Sequence, residues 1–187
     1  MALNWILVGY MGCGKTSVGE ALASLSSRPF YDLDALISEQ QGQNIGEIFR
    51  KEGEAGFRKI EHRVLKDFLQ HHTAYVLSVG GGAPCHHDHM ALMNDRAKTV
   101  YIRANTSILF RRLQLEKSVR PMIAHIADNL LFEFISEHLS GREAFYEKAR
   151  EWVDIGEKSI REIAEKIKEK YDSGKFKQGS RYKTNVE

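Results

Sequence analysis

Residues Gly9 to Thr16 read Gly-x-x-x-x-Gly-Lys-Thr, and these types at this spacing have one well-defined chemical use. Glycines let the backbone curl so that successive N–H groups point inward at phosphate oxygens. Lys15 then reaches the β- and γ-phosphates, and Thr16 opens a helix from which its hydroxyl ligates Mg²⁺. Gly12, Cys13, Gly14 and Ser17 complete the expected nucleotide contacts. Asp32-Leu33-Asp34 offers two carboxylates at i and i+2. On a strand these point to the same side, so both would face one crevice at the strand's carboxyl end. One acid would then stand in the Mg²⁺ shell and the other would accept hydrogen bonds from a substrate hydroxyl. Trp152-Val153-Asp154 is the weaker candidate for the metal-side acid, which leaves Asp32 in that place. The competing reading makes one of the pair an N-cap for a helix starting near Ala35.

Other residues gain weight only as a set. Arg58 lies off the apolar stripe of Phe57, Ile60, Val64 and Phe68, and alone it reads as a solvated surface arginine. Gly80-Gly81-Gly82 follows an apolar run and would let a ligand approach the backbone closely; a flexible turn is the alternative. Arg120 precedes Pro121, and Arg142 opens "REAFYEKAR". The run Cys85-His86-His87-Asp88-His89 is dense in metal-ligand types. Consecutive positions at a helix start do not converge easily on one ion, so it reads as an exposed helix start.

These residues need a frame, and the apolar pattern supplies one. Strands are expected over 3–9, 28–34, 74–82, 98–104 and, more weakly, 151–156. Helix-period segments lie between them, with a helix over 15–27 directly after the phosphate loop. Asn44 and Glu47 form a capping box, and Ile160, Ile163, Ala164 and Ile167 mark the apolar face of a last helix. This alternation predicts an α/β fold with a parallel sheet covered by helices. Residues 1–171 form a single domain. Residues 116–135 read as a lid insertion, with a plain helical connection as the alternative, and 172–187 as a mobile polar tail.

Composition narrows the class. The 187 residues carry a formal charge of +2, all of it in the last seventeen residues, whose four Lys/Arg face one Asp and one Glu. A neutral body lacks the basic stripe that nucleic-acid binding needs. Two scattered cysteines suggest a reducing compartment. No apolar run reaches the ~18 residues of a membrane span. A cytoplasmic protein is expected.

The ordered set resembles the shikimate kinase family: the loop Gly9–Thr16, Asp32 and Asp34, Phe57-Arg58, Gly80–Gly82, Val119-Arg120-Pro121, and Arg142 with Tyr146. The resemblance spans roughly residues 5–170. It implies a three-layer P-loop NTPase fold, akin to nucleoside-monophosphate kinases, with a central five-stranded parallel sheet, helices on both faces and a lid. It implies transfer of the γ-phosphoryl group of ATP to the 3-hydroxyl of shikimate, with Mg²⁺ as cofactor. Carried over by position, Arg58 and Arg142 grip the substrate carboxylate, Asp34 binds hydroxyls, and Gly80, Gly81 and Gly82 add backbone contacts. Lys15, Asp34 and Arg120 carry the catalysis, Arg120 approaching the transferring phosphate. Thr16 and Asp32 serve the metal, and Arg112 contributes to adenine binding. ATP and shikimate are then the only partners of a monomer, with no nucleic acid and no membrane. Two alternatives stay open: a gluconate-type or nucleoside-monophosphate kinase, and a regulatory module that binds ATP without turnover. A GTPase is excluded by the lack of an Asn-Lys-x-Asp tetrapeptide.

Overall fold

The computed structural model of the chain describes residues 4–156 and 158–172. Beyond Asp172, the segment expected as a mobile tail lies outside the described residues.

Five short strands form one parallel sheet in the order β2-β3-β1-β4-β5. They are β1 (Trp5–Val8), β2 (Phe30–Asp32), β3 (Val76–Ser78), β4 (Lys98–Arg103) and β5 (Glu151–Asp154). Successive strand residues face opposite sides of a sheet, yet all four residues of β1 are buried. Both faces of the central strand are therefore covered, which explains why its sequence is continuously apolar rather than alternating. The second and third strands end sooner than the sequence suggests. β2 stops at Asp32 because that residue caps the next helix, and β3 stops at Ser78 before the glycine triplet.

The helices are α1 (Lys15–Ser26), α2 (Leu33–Gln41), α3 (Ile45–His71), α4 (His89–Arg96), α5 (Thr106–Leu115), α6 (Pro121–Ala124), α7 (Leu131–Tyr146) and α8 (Ile160–Asp172). α3 begins with the expected capping box, in which Asn44 and Glu47 bond reciprocally to each other's backbone N–H. It kinks at Gly53, whose backbone is non-helical at φ 66. α8 packs on α1 through Ile163, Ala164 and Ile167, all buried. Ile160, assigned to the same apolar face, instead lies exposed at the mouth of a crevice. α1 also approaches the sheet closely, since a Cβ on Gly19 would sit 2.5 Å from the Phe30 ring.

The expected lid, 116–135, is shortened by the structure. Two 3₁₀ turns and α6 occupy residues 117–130, but α7 starts at Leu131. Leu131 and Ile135 are fully buried, so the last five residues of the segment belong to a helix of the body.

Candidate active site

The phosphate loop sits between β1 and α1, where its sequence pattern requires it. Gly14 caps α1 in the left-handed region (φ 94), and Gly12 also has positive φ at 78; both conformations favour glycine over any residue with a Cβ. Lys15 is buried, and its Nζ donates to the carbonyls of Gly9 (2.9 Å) and Tyr10 (3.0 Å). Arg112 on α5 clasps the loop from outside, donating through Nη1 to the carbonyls of Gly12 and Cys13, each at 3.2 Å. The loop opens into a crevice of 510 Å³, whose wall includes Gly12 to Ser17, Asp32, Asp34, Gly80, Gly81, Arg112 and Arg120. A shallower crevice of 340 Å³ continues past Arg112, lined by Ile108, Arg111, Leu115 and Gly156.

Asp32 and Asp34 both face the main crevice, but strand alternation is not the reason. Asp32 is the N-cap of α2: its Oδ1 accepts from Asp34 N (3.0 Å) and Ala35 N (3.4 Å). Its other oxygen, Oδ2, accepts from Thr16 Oγ1 at 3.4 Å. One carboxylate thus caps a helix and stands beside the loop threonine. Asp34 lies in the first turn of α2, packed against the glycine triplet, where a Cβ on Gly80 would come within 3.0 Å of its Oδ1. Burial first, then the charge of Asp32, raises its carboxyl above the ordinary range, against the opposing charges of Lys15 and Arg58. Asp154, the weaker metal-side candidate, is paired with Arg103 on the edge strand and does not line the crevice.

Arg58 is the clearest correction to the sequence reading: it is buried, with relative exposure of 9%. Its Nη1 donates to Glu61 Oε2 at 2.8 Å, and Nη2 to Glu54 Oε1 at 3.4 Å. A Cβ on Gly82 would lie 2.5 Å from Arg58 Nη2, so only glycine lets the guanidinium lie against that loop. Arg142, half-buried on α7, lies one turn before Tyr146, whose hydroxyl donates to Gly81 O at 2.7 Å. Arg58 and Arg142 thus both stand near the glycine triplet, and the charges of both act on Cys85 and His86. Arg58, Gly82 and Arg142 are outside the lining of the main crevice; Arg58 against Gly82 forms an annex to it, next to Gly80 and Gly81 of its wall. Arg120, in the segment between α5 and α7, lines the main crevice while its Nε donates to Glu116 at 2.7 Å. Sequence reasoning missed Glu61, although a carboxylate three residues after Arg58 on a helix was a readable signal. It also missed the phosphate loop's Tyr10 as a residue with its own partner.

The histidine run leads into the start of α4, with Asp88 at the N-cap and His87 and Asp88 exposed, but its last member turns inward. His89 is fully buried; its Nδ1 lies 2.8 Å from Ala83 O and its Nε2 lies 3.0 Å from His62 Nδ1. The carbonyl only accepts, so His89 donates from Nδ1 and accepts at Nε2 as a neutral ring. No group of three metal-ligand side chains able to hold an ion occurs among the described residues. Burial lowers His89 to a pKa of about 4, against about 6.5 in an unfolded chain. The unfolded state therefore takes up a proton that the folded state refuses as pH falls from 6.5 toward 4. Stability is full above that window and drops through it by on the order of 3 kcal/mol. Urea unfolding at stepped pH should show this slope. His89→Gln should flatten it by about one proton while lowering stability at pH 7.5.

With this geometry in place, comparison with known proteins is direct. The sequence model of the family described as shikimate kinase matches residues 11–172. The shikimate kinase of Flavobacterium psychrophilum is 37% identical over 163 residues, covering 87% of this chain and 95% of the relative. That of Bacteroides thetaiotaomicron is 42% identical over 144 residues, covering 77% and 82%. The crystal structure of a Bacteroides thetaiotaomicron shikimate kinase superposes with a TM-score of 0.86 at 36% identity, covering 92% of this chain and 99% of that one. A shikimate kinase from Acinetobacter baumannii in complex with shikimate gives 0.85 at 33% identity, covering 95% and 97%.

Proposed function

Because the chain belongs to the shikimate kinase family, we propose that its crevice and annex together transfer the γ-phosphoryl group of ATP to the 3-hydroxyl of shikimate. The observation that supports this most is a complete phosphate loop sharing a crevice with Asp34, with Arg58 against Gly82 and Arg142 one turn from Tyr146, which bonds Gly81. A cyclic acid with hydroxyls fits this division. Its carboxylate meets the guanidinium pair, and its hydroxyls reach Asp34 and the backbone of Gly80–Gly82. The triphosphate lies along Gly12–Ser17, and the adenine occupies the shallow crevice beside Arg111, Arg112 and Gly156.

The donor set also fits Mg²⁺, which keeps several waters and takes few protein ligands. Thr16 would hold the ion and Asp32 Oδ2 its outer shell, while Asp32 Oδ1 stays on the helix cap. When bound, the ion neutralises charge on the β- and γ-phosphates. Phosphoryl transfer has a loose transition state, so positioning and charge supply most of the acceleration. Lys15 offers charge from inside the loop, and Arg120 adds charge from the lid once it leaves Glu116. Asp34 orients the attacking hydroxyl and takes its proton, a role suited to a carboxylate made more basic by burial. No described helix is long and apolar enough to cross a membrane, consistent with work in the cytoplasm.

ADP release should be measured with MgATP alone and with shikimate, gluconate or a nucleoside monophosphate. Strong release with shikimate alone is expected. Release with another acceptor overturns the annex assignment, and silence with all of them favours a binding module. Arg58→Ala should raise the KM for shikimate at least about tenfold, since a charge-assisted hydrogen bond contributes roughly 1.5–3 kcal/mol. An unchanged KM would sink the role of Arg58.

A further inference from the structure

α7 presents three side chains at i, i+4 and i+8, which lie on one helix face: His138, Arg142 and Tyr146. Each end of this stripe is tied to a different loop. At one end, His138 Nδ1 lies 2.7 Å from the hydroxyl of Tyr10, inside the phosphate loop. At the other, Tyr146 donates to Gly81 O at 2.7 Å, inside the glycine triplet. Arg142 sits midway between the two ties.

The Tyr10 tie is well built. Tyr10 is 1% exposed, its ring meets the His138 ring edge-on at 5.4 Å, and His138 is stacked on Phe134. Burial and the neighbouring positive charge of Arg142 lower the pKa of His138. Both favour the neutral ring, to whose Nδ1 the Tyr10 hydroxyl can donate. The backbone of the same residue holds the loop lysine, since Lys15 Nζ donates to Tyr10 O. Tyr10 thus joins the ammonium that faces phosphate to the helix that carries Arg142.

We propose that His138 is a positioning residue: through Tyr10 it holds the Arg142 helix in register with the phosphate loop, and so sets the acceptor hydroxyl against the γ-phosphate. The inference rests on the reading that Arg142 grips the acid substrate. Each half-site keeps its own contacts when the tie is cut, but their mutual register loosens. A misplacement of about 1 Å is enough to slow a positioned reaction by up to roughly a hundredfold. The effect therefore falls on the chemical step rather than on either KM.

The test is single-turnover phosphoryl transfer by rapid quench, with the KM for shikimate and for ATP measured alongside, on full-length His138→Phe, Tyr10→Phe, the double variant and His138→Asn. His138→Phe keeps an aromatic ring and loses the acceptor; His138→Asn restores a polar atom near the Nδ1 position. The expected result is a single-turnover rate about tenfold lower in each Phe variant, with both KM values within about twofold of wild type. The double variant should be no slower than either single one, and His138→Asn should recover to within about threefold. An unchanged rate in Tyr10→Phe and His138→Phe overturns the proposal, as does a double variant whose loss is the product of the single losses. Arg142→Ala separates the two levels. If it leaves the shikimate KM unchanged, the underlying reading fails. If it raises that KM while the Phe variants transfer at the wild-type rate, this inference alone fails.

Discussion

Lys15→Met is expected to lower turnover by about a thousandfold, the upper end of what removal of one preorganised charge donor costs at a reacting oxyanion. The expectation follows from where the ammonium sits. Lys15 is buried and held by two carbonyls of its own loop, so in the proposed role it meets the phosphates already desolvated. Methionine matches the length of the stem and removes only the charge and donors. Lys158 provides the control, because it also lines the crevice but is exposed at its mouth. Lys158→Met should cost less than about fivefold, since a solvated charge contributes little. Steady-state ADP release with saturating shikimate distinguishes the two. A Lys15→Met enzyme within tenfold of wild type would remove Lys15 from the chemistry.

The second large effect belongs to Asp34→Asn. Turnover should fall by roughly a hundred- to thousandfold, the usual worth of a positioned proton acceptor, while affinity for MgADP stays within about threefold. The carboxylate's burial and the neighbouring Asp32 charge push its pKa up, so the acid form, which cannot take a proton, accumulates at higher pH than for an ordinary aspartate. The wild-type kcat/KM for shikimate should accordingly fall on the acid side, and the residual activity of Asp34→Asn should lack that limb. Equal losses of turnover and nucleotide affinity would instead place Asp34 on the metal and leave Asp32 as a helix cap only.

The two aspartates also show how residues expected to share a crevice can do so for a different local reason. Asp32 and Asp34 read as neighbours on one strand face, yet the chain turns into α2 between them. They still share the crevice because an N-cap and a first-turn residue both lie at the strand's carboxyl end. The competing reading, a capping aspartate, is fulfilled by Asp32 without taking it out of the site, since its two oxygens serve different partners.

Arg58 was misjudged for a different reason. Helical spacing sets it off the apolar stripe, and off the stripe an arginine defaults to solvent. What buries it is the glycine triplet, more than twenty residues away in sequence, together with Glu61 on its own helix. The expected lid segment is a similar case, because only packing reveals that its Leu131 and Ile135 belong to a body helix.

The sequence alone determined the phosphate loop, the alternation of strands and helices, the capping box of α3 and the family to which the ordered motifs belong. Each rests on short-range rules: backbone freedom at glycine, hydrogen bonds between neighbouring residues, and apolar periodicity within one element. Only the tertiary structure decided that Arg112 braces the loop a hundred residues before it, that Arg58 lies buried against Gly82, and that His138 meets Tyr10 across 128 positions. Those contacts depend on the parallel pairing that sets β3 and β4 on either side of β1, and no local pattern encodes which distant side chains that pairing brings together.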